Sequence, residues 1–137
     1  MPHLIVEYSA NLEDDIDLGA LLGALHAAAI KTGVFPLGGC RTRAARRDHY
    51  VIADDSPENA FVHVIARIGA GRGVETRRRA GDAIFETLTD QLSGVYDRRP
   101  IGISFEMVEI DPDATWKKNN LHEAVESRGA RAETGAV

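Results

Sequence analysis

Pro2 follows Met1 directly and opens the apolar run Leu4-Ile5-Val6. Once Met1 is removed, the chain begins on a secondary amine, a base that can take a proton from a carbon acid without a cofactor when it is held in a pocket. With Met1 attached, the same nitrogen is an amide that lacks an N–H and has no basicity. Arginines gather in two places: Arg41, Arg43, Arg46 and Arg47 in one short segment, and Arg72, Arg77, Arg78 and Arg79 in another. A guanidinium binds a carboxylate through two parallel hydrogen bonds, which fixes orientation as well as charge. A neutral base with fixed cations is the set needed to remove a proton from an unsaturated hydroxy or oxo acid, because negative charge spreads onto oxygen as the proton leaves.

Other chemistries are excluded by type and spacing. Cys40 is the only cysteine, so no intrachain disulfide and no four-cysteine metal site can form, and its type reads as a small buried hydrophobe. His3, His26, His49, His63 and His122 show no H-x-H or H-x-x-x-H pairing, and no metal is expected. Gly69, Gly71 and Gly73 superficially suggest a dinucleotide fingerprint, but Val74 stands where the final glycine is needed and the chain has no room for a second domain. No cofactor is expected. Arg77, Arg78 and Arg79 point in successive directions around a helix, so at most one or two can meet a ligand.

The net charge of −5 argues against nucleic acid as a partner, since phosphate backbones are held by basic surfaces. Local arginines on a globally acidic chain point instead to a small anionic ligand. The stretch Leu18 to Ile30 is too short to span a bilayer, and no basic-apolar-small pattern marks a secretory signal, so the expected location is cytoplasmic with no membrane partner.

The elements that must position these residues repeat. His3 to Tyr8 alternates as a strand, and Leu18, Leu21, Leu22, Leu25 and Ala29 recur at helical spacing until Gly33. An extended region from about Gly39 to Ile52 closes the first unit before the turn at Asp54-Asp55-Ser56-Pro57. The second unit runs through a strand at Phe61 to Ile68, a glycine-rich loop, a helical stripe of Ala80, Ile84, Leu88, Leu92 and Val95, and a strand at Ile101 to Ile110. The fold class is therefore α/β (α+β): two β-α-β units, about 58 residues apart, forming a four-stranded sheet with two helices on one face. The helix-covered face should hold Leu4, Val6, Val62, Val64, Ile68, Phe105 and Met107. The other mixes Ile5, Phe61, Ile65, Val108 and Ile110 with Glu7, His63, Arg67 and Glu106, enough apolar surface to predict a second protein surface against it.

The segments MPHLIVEYS, GVFPLGGCRTR, FVHVIARIGAGR and WKKNNLH, in that order, resemble the 5-carboxymethyl-2-hydroxymuconate isomerase family of the tautomerase superfamily over about residues 1–125. The resemblance implies a homotrimer with sheets facing inward. It also implies a 1,3-allylic or keto-enol proton shift in homoprotocatechuate catabolism, on a small unsaturated polycarboxylate. The base would be Pro2, and the substrate-binding arginines would be Arg41, Arg72 and Arg43. Trp116, Asn119 and Asn120 are read either as residues lent to a neighbouring site or as an interface segment. The segment Ala44 to His49 carries more positive charge than the family pattern suggests. Residues 126–137 are small and polar and are expected to be disordered. A different class of reading keeps the same β-α-β repeats as a non-catalytic, ferredoxin-like module for ligand binding or assembly.

Overall fold

The computed structural model describes residues 1–133, with side chains through residue 129. Alternation in the first strand, β1 (His3–Ser9), sends Leu4, Val6 and Tyr8 inward and leaves His3, Ile5 and Glu7 on the opposite face. Helix α1 (Leu18–Lys31) starts where the Asp17 carboxylate accepts a hydrogen bond from the Ala20 N–H at 3.0 Å, filling one of the unpaired donors of the first turn. It stops at Gly33, whose φ of 75° is the left-handed conformation that reverses the chain. The first unit closes with β2 (Arg41–Arg47), parallel to β1. The second comprises β3 (Ala60–Gly69), α2 (Val74–Gln91), a short helix α3 (Ser93–Tyr96) and β4 (Ile101–Ile110), with β3 and β4 parallel.

The two units join through an antiparallel β1–β3 pair, giving the order β2-β1-β3-β4. Leu21, Leu25 and Ala29 of α1 and Ala80, Ile84 and Leu88 of α2 pack over Leu4, Val6, Val62, Val64 and Ile68 in one core. Phe105 and Met107 lie on the same side but stay half-buried, because β4 is an edge strand and Gly81 is what α2 sets against them. On the other face Ile5, Phe61, Ile65, Val108 and Ile110 are only half-covered and are interleaved with Arg43–His3, Arg47–Glu7 and His63–Glu106 contacts.

Three elements differ from the sequence reading. The second strand ends at Arg47, because residues 48–59 form a loop with Ala53 and Asp55 at φ of 55° and 62° and with the Asn59 amide donating to Ile52 O and Asp54 Oδ1. The stripe from Ala80 to Val95 is broken at Leu92, whose φ of −100° and ψ of 5° leave the helical range, although Leu92 and Val95 remain buried. The third is α4 (Leu121–Glu133), a helix absent from the sequence reading that overlaps the expected tail as far as residue 133; residues 134–137 lie outside the described residues. Ala, Glu and Arg are good helix formers, and Asn119 Oδ1 caps the helix start by accepting from Leu121 N–H at 2.7 Å.

Candidate active site

The start of β1 lies beside the Leu37–Gly39 turn, on which the start of α4 packs. Pro2 is fully buried, and its carbonyl accepts from the Arg41 N–H at 3.0 Å, the first rung of the β1–β2 pairing. The turn Leu37–Gly39 runs beside it. Gly39 lies so close to the chain terminus that a Cβ there would stand 2.6 Å from the Met1 nitrogen, so only glycine fits without a shift. Gly38 has the same role toward α4: a Cβ would stand 2.7 Å from His122 Nδ1 and 2.8 Å from His122 Cα. Asn119 ties the segment down by donating to Gly38 O at 3.5 Å.

A cavity of about 280 Å³ opens at this point, lined by Met1, Arg41, Lys117, Asn119 and His122. The terminal amine facing it, here that of Met1, is held below the usual α-amino pKa. Burial is the larger cause, followed by the positive charges of Arg41 and Lys117, with Arg72 adding a little and Cys40 opposing. Burial also lowers the His3 pKa, reinforced by Arg43 and Arg41. Burial raises that of Cys40, whose Sγ lies 3.6 Å from His26 Nδ1, so the thiol is held protonated and behaves as packing. An amine with a depressed pKa beside unneutralised cations can act as a base toward an anionic carbon acid.

A protein-family model for 5-carboxymethyl-2-hydroxymuconate isomerase matches residues 2–125. The chain belongs to the 5-carboxymethyl-2-hydroxymuconate isomerase family. The Escherichia coli 5-carboxymethyl-2-hydroxymuconate Delta-isomerase is 38% identical over 122 residues, covering 89% of this chain and 97% of that protein. The crystal structure of a 5-carboxymethyl-2-hydroxymuconate isomerase from Deinococcus radiodurans R1 shares 40% identity and a TM-score of 0.85, covering 90% of this chain and 93% of that one. A fused 4-OT solved as a symmetric trimer has the same fold at 18% identity, with a TM-score of 0.59 and coverage of 85% of this chain and 93% of that one. The tautomerase-like four-stranded sheet is thus shared well beyond the isomerase family.

Within this isomerase-family chain, the residues singled out from sequence separate. Arg41 lines the cavity, whereas Pro2 lies buried behind Met1 with its carbonyl paired to the Arg41 N–H. Arg43, two positions along β2, is exposed on the outer sheet face, with its Nη1 3.0 Å from His3 Nδ1, and does not line the cavity. Arg72 folds back from the glycine-rich loop, where Gly71 takes a φ of 112°. Its guanidinium donates to Gly69 O at 3.0 Å and Val34 O at 3.1 Å and stacks 5.2 Å from the Phe35 ring centroid. Arg72 therefore pins the loop to the α1–β2 connection, and its charge reaches the terminal amine more weakly than those of Arg41 and Lys117. Asn119 lines the cavity of its own chain, whereas Trp116 is 87% exposed. Lys117 and His122 escaped the sequence reading as site residues; the WKKNNLH segment was the signal, but only the packing on Gly38 shows where it goes.

Proposed function

We propose that this chain is a cofactor-independent isomerase that moves a proton within an unsaturated 2-hydroxy or 2-oxo polycarboxylate, 5-carboxymethyl-2-hydroxymuconate in homoprotocatechuate catabolism, with the amine of Pro2 as base. The observation that carries the reading is the burial of the chain terminus in a small cavity whose nearest charges are cations. Removal of Met1 turns the Pro2 nitrogen from an amide into the terminal amine at that place. The amine, kept neutral by burial and by Arg41, takes the proton as charge spreads along the conjugated system onto oxygen. The cations stabilise that oxygen, and the prolinium returns the proton to a carbon further along the chain, regenerating the base. No group is consumed, so the reaction needs no cofactor.

The half-covered outer sheet face supports a homotrimer with sheets facing inward, and the fused 4-OT was solved as a symmetric trimer. The cytoplasm is the compartment that suits this catabolic role; no described helix is long and apolar enough to cross a membrane. The test is turnover of 5-carboxymethyl-2-hydroxymuconate by Pro2→Ala beside the unmodified sequence, with loss of Met1 established by intact mass for both. Undiminished turnover in the variant refutes the proline base.

A further inference from the structure

Arg41 and Lys117 come from elements far apart in sequence, one at the start of β2 and one in the strap that precedes α4, and they line the same cavity. Among the described residues neither has a carboxylate partner. Four other arginines are neutralised: Arg46 by Glu13 and Asp48, Arg47 by Glu7, Arg77 by Glu109 and Arg99 by Asp15. Three other clefts lined by basic residues each include an acid, namely Asp82 and Glu106, Asp15 and Glu58, or Glu86. The cavity at the chain terminus includes none. In a chain of 21 acidic against 16 basic residues, an acid-free pair of cations around one cavity is a charge arrangement that an anionic ligand completes.

Building on the reading of Pro2 as base, we infer that Lys117 is a specificity-determining cation for the same reaction. It takes a second carboxylate of the substrate while Arg41 takes the carboxylate next to the reacting carbons. A single carboxylate is satisfied by one guanidinium fork, so a second cation on a separate element selects for a second acid group. The strap is built to hold it there: Asn119 donates to Gly38 O, accepts from Leu121 N–H, and so acts as a positioning residue for the segment. With Met1 lining it the cavity holds about 280 Å³, just below the roughly 300–1,000 Å³ of ligand sites, and loss of Met1 enlarges it toward that range.

The test is calorimetric binding to the full, Met1-free protein of two matched unreactive dienes, trans,trans-muconate with two carboxylates and sorbate with one. Lys117→Gln should weaken muconate about tenfold, the size of one charge-assisted contact, and sorbate by less than about twofold, while Lys117→Arg restores muconate. Lys117 is exposed, so these variants keep the fold. Equal weakening of both ligands, or no weakening of muconate, overturns the assignment. The readout involves no turnover, so its failure is distinct from an active Pro2→Ala protein, which would sink the proline base and leave the muconate result standing.

Discussion

Gly38→Ala is the perturbation whose outcome follows most directly from the packing. The added methyl would stand 2.8 Å from His122 Cα and 3.0 Å from His122 N, both backbone atoms, so no rotamer change relieves it. Carbon atoms settle at about 3.5–4.0 Å, so the start of α4 must retreat by roughly 0.7 Å or more. The Asn119–Gly38 O bond, already 3.5 Å long, is then lost, and Lys117, Asn119 and His122 leave the cavity wall together. The core built from α1, α2 and the sheet does not depend on α4. Melting temperature should therefore fall by only a few degrees, corresponding to about 1 kcal/mol. A displacement of that size in positioning residues lowers kcat/KM by about 10- to 100-fold. Steady-state kinetics on 5-carboxymethyl-2-hydroxymuconate with a thermal melt of the same samples reads both numbers. Wild-type kcat/KM in Gly38→Ala would refute the seating of α4 on the Leu37–Gly39 turn, and loss of folding would refute its independence from the core.

Arg41 should also be visible in pH dependence. The Met1 amine sits below the usual α-amino pKa at this place, and the Pro2 amine that replaces it should meet the same charges, so its basic form should persist to lower pH and the acid limb of kcat/KM lie correspondingly low. Arg41→Gln removes the largest charge acting on it and should move that limb upward, though not fully, since burial remains; an unmoved limb removes Arg41 from the amine's surroundings. Arg72→Lys should act on stability: a lysine cannot keep both carbonyl bonds and the Phe35 stack, so about 2 kcal/mol, or roughly 5–10 °C of melting temperature, is lost. An unchanged melt with a large rise in KM would instead make Arg72 a direct substrate ligand.

The sheet and its two long helices were legible because burial follows a simple period there: Leu4, Val6 and Tyr8 alternate with His3, Ile5 and Glu7, and Leu21, Leu25 and Ala29 recur at helical spacing. The break at Leu92 was not, since the apolar stripe runs through it unchanged and only the backbone of Leu92, at φ −100° and ψ 5°, departs from the helix. Among its described side chains helix α4 has no buried stripe, and what seats it is the missing Cβ of Gly38, which no periodicity in the sequence announces. The site shows the same division. Pro2 and Arg41 are neighbours through strand pairing, which the β-α-β pattern implies, whereas Lys117 arrives by tertiary packing. Arg41 and Arg43 share a strand face, yet two positions along β2 are enough to give Arg43 to His3 instead of the cavity.

The proposed mechanism turns on the amine of Pro2 acting as the base once Met1 is gone. The decisive measurement is kcat/KM on 5-carboxymethyl-2-hydroxymuconate for Pro2→Ala against the unmodified sequence, with intact mass establishing the terminus of each. A positioned base contributes about 100- to 10,000-fold, and a loss in that range is the predicted result. Equal kcat/KM in the two proteins, or full activity in a preparation whose mass still includes Met1, would contradict it.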